Sequence, residues 1–183
     1  KKLIKNINTI VHYNDKNYSY LIKRKVYFLN KKLSFGGSSN WHLRLFPSGT
    51  TLVEYINYDN HFKSKLKSKK ISGILNDLNL KNLTEWIASH NISSTLSAKD
   101  NKNKNSKNIV QPKLFGNSIE RLKFFKYLFY LLPSGIRPFL LFIIRYFFLL
   151  GFLDGKIGFY YCFFHSLWFR TLIDAKKFEK NRK

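Results

Sequence analysis

Polar and apolar positions divide the chain into stretches of different texture. Residues 1–35 are basic, with β-leaning runs at 18–22 and 25–29 where Tyr, Ile, Val and Phe cluster. Trp41, Leu43 and Leu45 then alternate with His42, Arg44 and Phe46, a period of two that predicts a half-buried strand. Gly36-Gly37-Ser38-Ser39 before it and Pro47-Ser48-Gly49 after it read as turns, the second closing a hairpin whose return strand is 50–56. Residues 57–80 read as irregular, polar and basic, with short strand pieces around 71–75. A helix over 82–97 follows: Leu83, Trp86, Ile87 and His90 fall at helical spacing. Asn82 serves as N-cap with Glu85 three residues on.

From residue 118 the pattern becomes almost wholly apolar and aromatic. Pro133-Ser134-Gly135 and Pro138 break it once, and Gly151, Asp154-Gly155 and Gly158 break it again. The pieces are 119–132, 138–153 and 156–178, each helical by length and composition. The middle piece, at about 16 residues, falls short of the roughly 20 that a spanning helix needs. Arg121, Lys123, Lys126, Arg137, Arg145, Lys156 and Arg170 keep one face wet, so two or three interfacial or re-entrant helices are expected. The same helices also suit packing on a catalytic domain that lies mostly outside this chain. Asp154-Gly155 reads as a tight turn. A carboxylate at membrane depth is costly, so Asp154 is expected to cap the next helix or meet an Arg.

Charge sharpens this picture. Among 183 residues, 33 Lys and Arg against 10 Asp and Glu give a net charge of +23. Such a field attracts polyanions: nucleic acid, anionic headgroups, sugar nucleotides or lipid phosphates. A continuous Phe/Leu block is foreign to basic nucleic-acid modules, so an anionic membrane surface is expected and nucleic acid is not. The lone Cys162 excludes an internal disulfide and reads as a buried small hydrophobe. The start has charge but no apolar run behind it, unlike a signal peptide. Met is absent even at position 1, so the chain reads as a piece of a longer or processed protein.

Candidate chemistry is sparse. No Gly-rich phosphate loop, metal-type Cys/His spacing, Ser nucleophile elbow or polymerase-like carboxylate pair is visible. In Asp59-Asn60-His61 the Asp could act as general base and the His could bind a metal or a phosphate; a solvated loop also accounts for all three. Arg44 could take a phosphate in bidentate fashion or form a surface ion pair. His90-Asn91 could serve a substrate or simply a helix cap or packing contact.

Several segments together resemble one family, the bacterial family-2 glycosyltransferases that build lipopolysaccharide core and colanic-acid-type exopolysaccharide. The family's tail pattern is similar to Arg137-Pro138-Phe139-Leu140, Arg145-Tyr146, Gly151-Phe152-Leu153-Asp154-Gly155, Trp168-Phe169-Arg170 and Asp174-Ala175-Lys176. Upstream, Trp41-His42-Leu43-Arg44-Leu45-Phe46 is similar to its aromatic-x-Leu-Arg-Leu strand. The run from Asn76 to Trp86, with His90-Asn91, resembles its Asp-x-Asn-Leu-x-x-Leu-Thr-x-Trp and Lys-His-Asn segments. The matches run in order from about residue 18 to residue 179.

The resemblance implies an α/β fold of GT-A type, Rossmann-like, here without its N-terminal half. That half carries the nucleotide-binding strands and the Asp-x-Asp ligands of a divalent metal, Mg or Mn. On this reading residues 1–98 are the acceptor-side part of the catalytic domain, 99–117 a flexible polar linker and 118–183 a membrane-associated helical tail. The partners implied are a nucleotide-sugar donor and a lipid-linked saccharide acceptor, at the cytoplasmic face of the bacterial inner membrane, with the protein peripheral or monotopic. Asp59 and His61 are the expected catalytic residues, His61 also beside the metal. Trp41, Arg44, His90 and Asn91 are the expected substrate contacts. Phe139, Phe142, Arg145, Phe147, Phe148, Phe152 and Trp168 are expected to meet the membrane. Family members commonly carry Asp-Glu-His where this chain has Asp59-Asn60-His61. An amide takes up no proton near pH 7, which leaves Asp59 as the base or the activity impaired. The rival from another class is a non-enzymatic basic anchor or scaffold at the membrane surface.

Overall fold

An 11-residue strand, β1 (Tyr18–Phe28), forms the axis of the molecule. The computed structural model describes residues 1–53, 62–99, 114–115 and 118–182. Within them β3 (Ser39–Leu45) runs antiparallel to β1 and β6 (Lys67–Asp77) runs parallel to it. The short β2 (Lys31–Lys32) folds back on the end of β1 through Leu29 and Asn30, both at positive φ as a tight hairpin turn requires. A separate pair, β4 (Thr51–Val53) and β5 (Phe62–Ser64), is antiparallel. Among the described residues six α-helices complete the fold: α1 (Lys2–His12), α2 (Leu83–Lys99), α3 (Ser118–Leu131), α4 (Ile136–Ile143), α5 (Gly155–Cys162) and α6 (Phe169–Arg182). The class is therefore mixed helix and sheet, α/β in the broad sense.

One face of β1 carries two cores. Tyr20 and Ile22 pack with Ile71 of β6 under Leu3, Ile7 and Ile10 of α1. Further along the same period-two face, Phe28 packs with Leu33, Trp86 of α2 and Tyr161 of α5. Arg24 lies between the cores and pairs with Asp77 at 3.5 Å. Ile157, Phe164 and Trp168 join the second core. Residues 1–98 and the tail thus share a hydrophobic interior. Of the expected linker, Lys99 closes α2, while 100–113 and 116–117 lie outside the described residues.

Three expectations need correction. The runs at 18–22 and 25–29 are one continuous strand, and the residues before them form α1. Leu3, Ile7 and Ile10 give that helix an i, i+4, i+7 stripe that the many intervening Lys and Asn obscure. The turn at 47–49 exists, with Thr50 N–H donating to Pro47 O at 3.3 Å, but β4 leaves β3 and pairs with β5. Phe62 of β5 lies against the end of β3 instead: its ring is 5.4 Å from Phe46, with the Arg44 guanidinium over it at 5.9 Å. In the stretch read as irregular, the strand expected around 71–75 is present but extends over the whole of β6, Lys67–Asp77. Its lysines conceal the strand, because Lys69 lies over the Tyr18 ring at 3.2 Å and Lys70 over Trp41 at 5.1 Å, their stems covering the sheet.

Gly73 explains how α1 reaches the sheet. β6 is irregular beside it, and it adopts φ 126°, outside the range of ordinary side chains. A Cβ there would sit 2.8 Å from Leu3 Cα, so only glycine lets the helix backbone settle on the strand. Asn6 adds a bond from Nδ2 to Ser72 O at 2.7 Å. The 82–97 helix is observed as α2, and its capping box is reciprocal: Glu85 N–H donates to Asn82 Oδ1 at 2.9 Å, Asn82 N–H to Glu85 Oε2 at 3.2 Å.

Candidate functional site

The second core ends where the tail bends. α4 continues through a π-helical turn (Ile144–Phe148), and after Leu149-Leu150 a 3-10 turn (Gly151–Asp154) leads into α5. No single helix among the described residues is long and apolar enough to cross a membrane. The bent pair Ile136–Phe148 and Gly151–Arg182, meeting at 71°, has the length and composition together. At this elbow the chain runs close to the loop after β2. Gly36 N–H donates to Leu149 O at 2.8 Å. The Asp154 carboxylate accepts from Ser34 N–H at 3.0 and 3.1 Å and from Phe35 N–H at 3.0 Å. Asp154 stands at the N-cap position of α5 as expected, but its carboxylate makes no bond to that helix and instead caps backbone amides distant in sequence.

Close packing completes the joint. A Cβ on Gly158 would lie 2.1 Å from Gly151 O, and one on Gly151 would lie 2.7 Å from Arg145 O and 2.9 Å from Cys162 Sγ. Cys162 is buried as expected, and burial pushes its thiol up, with Arg145 opposing.

Arg145 turns inward. Its NH1 lies 2.8 Å from His165 Nδ1 and 3.2 Å from Ser166 Oγ, and its guanidinium sits over the Tyr161 ring at 5.9 Å. Guanidinium can only donate, so Nδ1 accepts and the imidazole keeps its proton on Nε2. Burial, then Arg145 and Arg170, hold His165 well below the usual imidazole range. Burial likewise raises the Tyr161 hydroxyl.

Two further ties bind the tail together and to α2. Arg137 grips Asp174 bidentately, through Nε at 2.9 Å and through NH2, with both side chains nearly buried. Lys176 Nζ reaches Asn91 O at 2.9 Å, Asn91 Oδ1 at 2.5 Å, and the hydroxyls of Ser94 and Thr95 at 2.7 Å each. Pattern reading gave none of these roles. A signal existed: an isolated charge within an apolar block needs an opposite charge or a set of dipoles to remain there.

The residues singled out from the sequence occupy separate places. Asp59 and His61 lie outside the described residues. Trp41 and Arg44 stand exposed on β3, under Lys70 and beside Phe62. His90 is stacked on Trp86 at 3.5 Å, lies edge-on to Phe169 at 5.2 Å, and bonds through Nδ1 to Trp86 O at 2.9 Å. Burial lowers its pKa despite that bond. Asn91 is engaged by Lys176, so this pair packs α2 on α6. Trp168 belongs to the second core. Phe142 stacks on Tyr146 at 5.5 Å and is half-buried. Phe139, Phe147, Phe148 and Phe152 are exposed, Phe148 to 76%. Among the described residues no group of three or more His, Cys, Asp or Glu could hold a metal ion. Comparison with family models, with curated proteins and with solved structures found no match to this chain.

Proposed function

We propose that this chain is the acceptor-side part of a membrane-associated, inverting family-2 glycosyltransferase of GT-A type. The whole enzyme would move a sugar from a nucleotide-sugar to a lipid-linked saccharide, in cell-envelope polysaccharide or lipopolysaccharide synthesis. One observation supports this reading above the others: the separate segments that carry the family resemblance meet in space. Arg137 pairs with Asp174, Lys176 with Asn91, and Trp86 packs against Trp168 at 6.4 Å. Chance matches to a pattern have no reason to become contact partners across as many as 85 positions.

In this reading Asp59 takes the proton of the acceptor hydroxyl, and His61 stands near the metal or the donor diphosphate. Arg44, exposed on β3, contacts a phosphate. The divalent metal would supply charge stabilisation at the diphosphate, and its Asp-x-Asp ligands belong to the donor-binding half outside this chain. The experiment compares this chain with the product of its complete reading frame, using a sugar-nucleotide panel and lipid-linked acceptors. Transfer is expected from the complete product alone, falling about 10²–10⁴-fold in Asp59→Ala. Turnover by the isolated chain would contradict the reading, as would a complete product whose transfer ignores Asp59.

A further inference from the structure

The elbow between α4 and α5 presents bulky apolar side chains to solvent in a run interrupted only by the buried Gly151. Phe147, Phe148, Leu149, Leu150, Phe152 and Leu153 are all exposed large hydrophobics. Behind them Tyr146 packs edge-on against Phe147, Phe152 and Phe159, at 5.0, 6.2 and 5.6 Å, so the exposed rings rest on a firm base. Leu150 adopts φ 57°, a left-handed backbone unusual for a large side chain. Such strain persists where the surroundings impose it, and here it holds the tip outward.

The elbow's backbone polar groups are largely spoken for. Leu149, Leu150 and Leu153 N–H donate to Ile144, Phe147 and Leu150 carbonyls at 2.8, 3.2 and 3.0 Å, and Leu149 O accepts from Gly36. Hydrocarbon admits backbone only on that condition. The collar around the elbow is basic. Lys31 and Lys32 precede the loop that grips Asp154, Lys156 follows Asp154 by two residues, and all three are exposed. Lys32 also lies against Lys25, and the two ammonium groups crowd each other enough to lower Lys25. Asp154, the acidic residue of this region, already has its oxygens occupied.

We propose that this elbow is a wedge that inserts into one leaflet of an anionic bilayer, with Lys31, Lys32 and Lys156 at headgroup depth. The inference rests on the reading above only for its membrane surface and requires no transfer chemistry. The bilayer is the fitting occupant because the surface joins a lipid-compatible tip to a cationic rim, the arrangement of interfacial segments. Insertion is shallow: the elbow is clamped to the sheet by Asp154 and Gly36 and cannot extend into a span.

The test uses the full chain with phosphatidylcholine vesicles, with and without phosphatidylglycerol. Phe147→Ser with Phe148→Ser is expected to lower vesicle partition about tenfold per ring, since exposed side chains leave the folded state intact. Circular dichroism and melting confirm that intactness. Lys31→Ser, Lys32→Ser and Lys156→Ser together are expected to lose roughly fivefold per lysine on anionic vesicles and nothing on neutral ones. A dye on Phe148→Cys should shift to the blue and be quenched by shallow lipid-borne quenchers.

Unchanged flotation of the serine variants overturns the wedge, as does a dye that stays in water on bound protein. So does a lipid-free dimer that the Phe substitutions dissolve, which would assign the surface to a second copy. Flotation is read on this chain without sugar nucleotide, so a chain that floats while its complete reading-frame product transfers no sugar counts against the transferase reading alone. An unsubstituted chain that fails to float on anionic vesicles, with transfer by the complete product intact in detergent, counts against the wedge alone.

Discussion

Asp154→Ala should detach the tail elbow from the sheet. The carboxylate is half-buried and satisfies two backbone donors, Ser34 N–H through both oxygens and Phe35 N–H through Oδ2. A hydrogen bond to a charged acceptor contributes about 1.5–3 kcal/mol net, and the shared Ser34 donor counts once. Partial exposure lets water replace some of the loss, so Ala is expected to cost about 3 kcal/mol. Asn keeps one acceptor oxygen without charge and should cost about half as much. Domain stabilities lie near 5–15 kcal/mol, which makes either change measurable. Urea unfolding of the full chain reads the totals, and hydrogen exchange at the Ser34 and Phe35 amides reads the site. Faster exchange at these two amides, with α1 and β6 unaffected, is the expected signature. An Ala variant within about 0.5 kcal/mol of the parent, with unchanged exchange there, would refute the clamp.

Other consequences follow from the same geometry. Arg137→Ala or Asp174→Ala breaks a nearly buried ion pair and should cost about 3–5 kcal/mol, whereas the double variant should cost much less than the sum; a double-mutant cycle in urea measures the coupling. His165 is held neutral in the fold, so the unfolded chain takes up a proton first as pH falls through 6.5. Stability should therefore decline from neutral toward acid pH, and His165→Gln should flatten that slope in pH-dependent melting. Gly73→Ala drives a methyl group against Leu3 and should cost about 1–3 kcal/mol, seen as raised protease sensitivity of residues 2–12.

How much of this was legible depends on where the determining partner lies. Asn82 and Glu85 specify the α2 cap by themselves, three residues apart, and pattern reading finds them. Trp41, Leu43 and Leu45 announce their strand for the same local reason. β6 is determined by β1, some fifty residues away: Lys67 to Lys70 look like a solvated run until Tyr18 and Trp41 are beneath them. α1 is hidden by its length, since its three apolar contacts are spread among residues with no preference for a core. For the site, pattern reading located the apolar tail but not its division into an inward and an outward face. Arg145 and Phe148 look alike as members of one run. His165 and Ser166, 20 and 21 positions away, pull the first inward, and nothing covers the second to more than a quarter of its surface.

The direction of the strands gives the elbow a meaning beyond attachment. β6 is parallel to β1, so Phe28 and Asp77 finish at the same end of the sheet, where β2 and the loop that grips Asp154 also lie. A cleft of about 160 Å³ opens there among Tyr27, Asn30, Leu78, Asn79 and Leu80, with both leucines exposed. The core around α1 is at the opposite end, over Tyr20 and Ile22. A flexible tether would leave the sheet free to face any way above a bilayer. With the wedge inserted as proposed, an elbow bonded to the loop beyond β2 would turn the carboxyl ends of β1 and β6 toward the lipid. Open α/β sheets place ligands at the carboxyl ends of their strands. Under that proposed insertion, a lipid-borne group would meet this end of the sheet without leaving its leaflet.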